Sequence, residues 1–417
     1  MPVTGPMAQL IEYVSTHVPR YRRLGIRDIR QVPPSCKADI MKEMPEYISD
    51  EFGDSRQRLV SLVRDGDPTC EVSNSQLKPL PYVVVEQTSG TTGIQGRFPK
   101  TNAERAKLAV NIWKHRRRID PAVSTDALLS FVHLPFGSVE DQRVEHDPDP
   151  VRVRTLYEDA VRRRIRWLHS QPRVVCRHIR VFNEAGFERL PGFLRFCETT
   201  GERLSDLERR TISEYFGCGV INQYGCTETW AIGYDNHGRG EIEILGDSVY
   251  VELLRPGTLE PVEGPGEIGL VAVTSLHLRL MPIVRYLNGD RAEWIAADGG
   301  PRLRLHEDRQ SNMLLLNGEL VPGAGAMRVW LNIAYASLGY AHLEFIQFIQ
   351  TSELGITVRI GICPKGRALF DELKRVVSEG GFSRKPIELT YEEVTADKLA
   401  SEVRLKKPLF ITRLVPP

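Results

Sequence analysis

Hydrophobic and polar positions along the chain change period several times. Met7, Leu10, Ile11 and Val14 recur at near-helical spacing and predict a helix over Met7–Val18. Ser35 ahead of Lys37-Ala38-Asp39 reads as another helix start, and residues 1–80 read mainly as helical scaffold and loops. The run Val83-Val84-Val85 predicts a buried strand. Ala103–Arg118 predicts a helix capped by Thr101 or Asn102. A buried strand at Leu128–Val132, a basic amphipathic helix over Tyr157–Gln171 and an alternating strand at Val174–Val181 follow. Leu204–Phe216 reads as helical, and Gly219-Val220-Ile221 as a short strand. From Ile242 the texture turns to strands and turns (Ser248–Leu254, Gly269–Thr274), which predicts a small β-subdomain. Beyond Arg309, strands at Leu343–Gln350 and Gly355–Ile362 with a helix at Lys365–Val377 predict a compact α+β unit joined through a hinge.

Composition narrows the class. At 417 residues the chain exceeds one ordinary core, so two domains are expected. Apolar residues at 41% and charged residues at 26% describe a soluble globular protein. A formal net charge of +1 supplies no field for drawing in nucleic acid or an anionic membrane. The runs His115-Arg116-Arg117-Arg118 and Arg162-Arg163-Arg164 read as solvated helix faces. Seven scattered cysteines without CxxC spacing suggest neither a zinc site nor a disulfide framework. The N-terminus lacks the basic start and apolar core of a signal peptide, and no apolar run approaches the roughly 18 residues of a membrane span. A cytoplasmic protein is expected.

The chemistry begins after Val83–Val85. Thr88-Ser89-Gly90-Thr91-Thr92-Gly93 alternates hydroxyls with glycines. Glycine lets successive N–H groups turn toward one anion, and the hydroxyls add donors to the same concavity. The P-loop would need Gly-Lys-Ser/Thr, but Lys100 follows Pro99; Gly90, Gly93 and Gly96 do not match GxGxxG either. A polyphosphate cradle is the sharp reading of this loop, and a flexible Gly/Thr turn the bland one. A strand before the loop and a helix after it would bring helix-terminal N–H groups to the phosphates.

Further motifs follow in order: Thr200-Gly201-Glu202-Arg203-Leu204, Gln223-Tyr224-Gly225-Cys226-Thr227-Glu228, and Arg285-Tyr286-Leu287-Asn288-Gly289-Asp290. Then come Asp308-Arg309, leading to Met313–Gly318, and the pair Lys406-Lys407. With the SGTTG loop these span most of the chain, and together they resemble the adenylate-forming superfamily in its phenylacetate-CoA ligase-like branch. The resemblance implies an α/β fold: a large multi-layer N-terminal adenylation domain with a small β-subdomain (1–308) and a small mobile α+β C-terminal domain (309–417).

It also implies a division of roles. Thr88, Ser89, Gly90, Thr91, Thr92 and Gly93 would hold the β- and γ-phosphates of ATP. Glu228 would ligate Mg²⁺, a hard cation suited to carboxylate and phosphate oxygens, while Thr227 would donate to the α-phosphate. Gln223, Tyr224 and Gly225 would form one wall for adenine and Gly201 and Glu202 the other. Asp290 would accept from both ribose hydroxyls, and Arg309 would contact ribose or phosphate. His133 or Phe136 would flank the reactive carboxylate, and Lys406 or Lys407 would neutralise the forming mixed anhydride.

Three departures stand against the pattern: Gly96 where many relatives carry a loop lysine, Ser311 where a hinge aspartate is common, and Asn288 in place of threonine. The expected activity is ATP-dependent activation of a small, aromatic organic acid as an acyl adenylate, passed most naturally to coenzyme A. Rival readings are transfer to an amine or carrier protein, activation of a non-carboxylate oxyacid such as nitrite, or a nucleotide-binding relative without turnover. Related ligases often dimerise, so a homodimer is expected.

Overall fold

The computed structural model describes residues 5–65, 83–88, 96–131, 149–190, 192–202, 204–296, 302–306, 313–316, 319–322, 327, 330, 343–362, 366–380, 387–394 and 410–412. The chain divides into two compact units. The first comprises Met1–Thr88, Ile94–Asn288 and Ala292–Leu305; the second is chiefly His306–Pro417 and includes Gly289–Arg291.

The first unit is built on one large sheet. β1 is the two-residue Ser35–Cys36, and β2 (Val83–Gln87) and β3 (Arg97–Thr101) form a separate antiparallel hairpin. The large sheet contains β4 (Leu128–Ser130), β5 (Trp167–Ser170), β6 (Phe196–Thr200) and β7 (Gly219–Cys226), all mutually parallel. It continues through β8 (Trp230–Asp235), β9 (Glu241–Ile244), β10 (Val249–Leu254), β11 (Ile268–Ser275), β12 (Tyr286–Ile295) and β13 (Arg302–Leu305). Their spatial order is β10-β11-β12-β13-β9-β8-β7-β6-β5-β4, with β1 alongside β12. The β-rich stretch beyond Ile242 therefore extends the same sheet.

Helices flank the parallel half as alternating strand and helix require. The helix Asn102–Ile119 starts at a capping box in which Thr101 Oγ1 accepts from the Glu104 N–H while Glu104 reaches back to the Thr101 N–H. Ser205 and Glu208 repeat the device at Asp206–Phe216, which stops at Gly217 in the left-handed region. Between sheet and helices Tyr157 stacks on Phe216 at 5.6 Å, with Phe182 edge-on at 5.4 Å. Each such ring withdrawn from water contributes about 1.5–3 kcal/mol.

Four sequence expectations change. Val174–Val181 is not a strand: it lies in the helix Pro172–Glu184, whose buried Val174, Val175, His178, Ile179 and Phe182 follow helical spacing. The predicted helix over Tyr157–Gln171 ends at Arg162, and its tail, Trp167–Ser170, is β5. The Gly/Thr loop is followed by a strand, β3, rather than by a helix start. Half of the supposedly solvated run is interior, since His115 and Arg116 are buried while Arg117 and Arg118 are exposed.

In the second unit β14 (Met313–Leu316) pairs with β15 (Glu319–Pro322). β16 (Leu343–Gln350), β17 (Gly355–Ile362), β18 (Glu388–Glu393) and β19 (Phe410–Thr412) form a sheet of order β18-β17-β16-β19 beside the helix Arg367–Gly380. Phe348, Val358, Ile360, Phe370 and Leu373 make its core. No helix among the described residues is long and apolar enough to cross a membrane.

Candidate functional site

The carboxyl ends of β6 and β7 deliver two of the sequence motifs to one edge of the sheet, where ligands of α/β sheets collect. β7 is longer than predicted and carries Gln223 to Cys226 itself. Cys226 pairs with Trp230 across a turn, so Thr227-Glu228-Thr229 is a three-residue hairpin loop. Such loops commonly close on a residue in the left-handed region, ordinarily glycine. Here that residue is Trp230, with φ 65°. A bulky side chain there is strained unless its surroundings hold it. Gly225 is required by close approach, because a Cβ would come within 2.4 Å of the Trp230 carbonyl oxygen.

Glu228 is 4% exposed, and its Oε1 accepts a 2.6 Å hydrogen bond from the Tyr286 hydroxyl. Burial, reinforced by the Glu228 charge, pushes the Tyr286 hydroxyl far above its ordinary range, so it stays a donor. The loop neck lies on the hairpin. The Thr88 N–H donates to the Gly96 carbonyl, and the Gly96 N–H donates to Thr88 Oγ1, each at 2.8 Å. The Thr88 hydroxyl thus accepts within the fold, and its own proton remains the part that can be offered to a ligand. A side chain at Gly96 would meet the buried Phe98 ring 2.6 Å from its Cβ, which explains the absent lysine.

Gln223 is held in place: its Oε1 accepts from Thr200 Oγ1 at 2.7 Å, and its Nε2 donates to the Tyr234 hydroxyl at 2.6 Å. Tyr224 is buried, with its hydroxyl 2.7 Å from Asn288 Nδ2, so the departure at Asn288 bridges β12 to β7. Gly201 turns the chain in the left-handed region, and Glu202 pairs with Arg173 at 3.3 Å. Asp290 is buried on β12. The expected site residues Ser89, Gly90, Thr91, Thr92, Gly93, His133, Arg309, Lys406 and Lys407, with Phe136, lie outside the described residues.

Two clusters were missed from sequence. Lys100 Nζ is 2.8 Å from Glu86 Oε2 and 2.8 Å from the Thr227 carbonyl oxygen. Glu86 also accepts from Trp230 Nε1 at 2.8 Å and Arg105 Nε at 3.1 Å. The second cluster surrounds Glu198 on β6, which takes Arg116 bidentately at 2.7 and 3.0 Å and Trp167 Nε1 at 2.9 Å. His169 Nε2 lies 3.8 Å from the same carboxylate, and its Nδ1 is 3.3 Å from Ser130 Oγ. Burial, which outweighs the Glu198 attraction, lowers His169 to about 4, so the imidazole is neutral at physiological pH. The Trp-Leu-His-Ser run of β5 was the available signal; Arg97-Phe98-Pro99-Lys100 of β3 does not alternate in polarity, and all four residues are buried.

No protein-family profile and no curated protein sequence matches the chain. Solved structures do. A 2-hydroxyisobutyryl-CoA ligase in the postadenylation state, in complex with an acyl-AMP, superposes with TM-score 0.63 at 16% identity over 98% of this chain and 87% of the other. This chain shares the fold of that ligase. ATP-bound MatB from Rhodopseudomonas palustris matches with TM-score 0.51 at 16% identity, over 77% and 68% of the two chains. O-succinylbenzoate coenzyme A synthetase (MenE) from Bacillus subtilis, in complex with AMP, gives 0.51 at 16%, over 78% and 69%.

Proposed function

We propose that this chain is an ATP-dependent ligase that activates a small organic acid as an acyl adenylate, releases pyrophosphate and passes the acyl group to coenzyme A. The observation that carries the reading is Glu228: a buried carboxylate on the tight turn at the carboxyl end of β7. The aromatic character of the acid, the cytoplasmic location, a homodimer and the split into an adenylation domain 1–308 and a mobile domain 309–417 belong to the same proposal.

Mg²⁺ fits this site as a partner of phosphate rather than of a protein cage. Among the described residues no three or more His, Cys, Asp or Glu side chains gather to hold a metal ion. Mg²⁺ characteristically takes one or two carboxylates and completes its shell with phosphate oxygens and water. Glu228 would hold it, and when bound the ion would offset phosphate charge. The chain's own residues do the rest. Tyr286 orients the Glu228 carboxylate through its hydroxyl. Thr88 and the loop after it, with Thr227, donate to phosphate oxygens, and Asp290 accepts from the ribose. Gln223, Tyr224, Gly225, Gly201 and Glu202 bound the base, while His133, Arg309 and Lys406 or Lys407 keep the roles the resemblance implies. The acid's carboxylate oxygen then bonds to the α-phosphorus as the bond to the β-phosphate oxygen breaks, a reaction governed by positioning and charge.

Pyrophosphate exchange into ATP across a panel of acids tests this directly. Acid-dependent exchange is expected, with thioester formed only when coenzyme A is added. ADP release without pyrophosphate overturns the reading, and product formed from an amine or carrier protein in place of coenzyme A reassigns the acceptor. Tight ATP binding without exchange makes the chain a nucleotide-binding relative.

A further inference from the structure

Lys100 is 1% exposed and Glu86 5%, so two charges are withdrawn almost completely from water. Such burial costs several kcal/mol per ion, and apolar residues of the same volume often serve stability as well. The partners of the pair suggest what it does. Lys100 donates to the carbonyl of Thr227, the residue before Glu228, while Glu86 accepts the indole N–H of Trp230, two residues after it. One ion pair on the β2–β3 hairpin thus grips the catalytic turn on both sides of its carboxylate. Trp230 is the strained, left-handed residue of that turn, and the Arg105 guanidinium lies 5.6 Å over its ring. The hold on Trp230 is what lets a bulky side chain occupy a glycine position.

We propose that Lys100 and Glu86 are positioning residues that aim the Glu228 carboxylate by fixing the turn from both ends, in a chain whose loop has no room for a lysine at Gly96. The inference rests on the role given to Glu228 under the proposed function.

Three variants test it: Lys100→Met, the double replacement Glu86→Gln/Lys100→Met, and Trp230→Phe. Each is measured for pyrophosphate exchange against Mg²⁺ concentration, for melting temperature, and for amide hydrogen–deuterium exchange over 224–231. Lys100→Met is expected to lower exchange by about 10- to 100-fold and to raise the Mg²⁺ concentration at half-maximal rate, the usual scale for residues that orient a ligand side chain. The double variant removes both charges and keeps an oxygen for Trp230; it is expected to recover the melting temperature but not the Mg²⁺ dependence. Recovery of both makes the pair purely structural and overturns the proposal, as does wild-type behaviour of Lys100→Met. If Lys100→Met does not fold, Trp230→Phe decides: a shifted Mg²⁺ dependence at unchanged melting temperature supports the proposal, and an unshifted one overturns it. If the wild-type chain exchanges with no acid, the proposed function falls, and deuterium uptake still judges the pair. Faster uptake across the turn in the variants supports it, and unchanged uptake refutes it.

Discussion

Two buried ion pairs in the first unit reach similar electrostatic solutions and put them to different mechanical use. Glu198 is 0% exposed and Arg116 5%, and the pair is satisfied by Trp167, Tyr234 and Gln223 from neighbouring strands. Each of those partners sits on a strand of the large sheet, so the pair ties the helix Asn102–Ile119 to the sheet. The Glu86–Lys100 pair has fewer side-chain partners and spends one donor on the backbone of a turn. A buried charge that bonds side chains of regular elements stabilises a layer; one that bonds a loop carbonyl sets where that loop points.

The largest effect marks the upper limit for damage at the turn. Glu228→Ala is expected to lower pyrophosphate exchange on the order of 1000-fold, as for loss of a preorganised group at developing charge, with the melting temperature little changed. Near-normal exchange would mean that the wrong carboxylate has been assigned. Next, Arg116→Met should cost about 3–5 kcal/mol in denaturant unfolding by stranding Glu198, while the exchange rate per folded molecule holds. A variant equally stable but slow would erase the distinction between the two pairs.

The third effect is pH dependence. His169 sits at about 4 when folded against 6.5 as its ordinary value, so the unfolded chain takes up a proton first as pH falls. Stability from this group is present above 6.5, declines by about 3 kcal/mol as pH falls toward 4, and is flat below. His169→Gln should flatten that part of the profile, and an unchanged slope contradicts the burial argument. The smallest effect is Tyr286→Phe, which removes one hydrogen bond to a charged group and should cost about 1.5–3 kcal/mol of support for Glu228. It is read as a weaker Mg²⁺ dependence of ATP-induced stabilisation.

Much of this was legible because apolar periodicity and motif order survive without context. The strands Leu343–Gln350 and Gly355–Ile362 match their predicted bounds, and Thr101 takes the predicted cap. The misreadings share a cause. Val174–Val181 is rich in β-branched residues that favour strands locally, but packing on the sheet imposes the helical period. Arg97, Lys100, Arg116 and Glu198 look like surface charges until their partners, distant in sequence, are brought to them. A charge pattern shows which residues carry charge, but only the fold shows which of those charges are paired inside.

The most direct test of the account is a crystal structure with a non-hydrolysable ATP analogue and Mg²⁺. The account predicts phosphates against the turn Thr227-Glu228-Thr229, with the metal on a Glu228 oxygen and Thr88 at the same site. A nucleotide bound elsewhere on the first unit, with Glu228 still turned wholly to Tyr286, would contradict it.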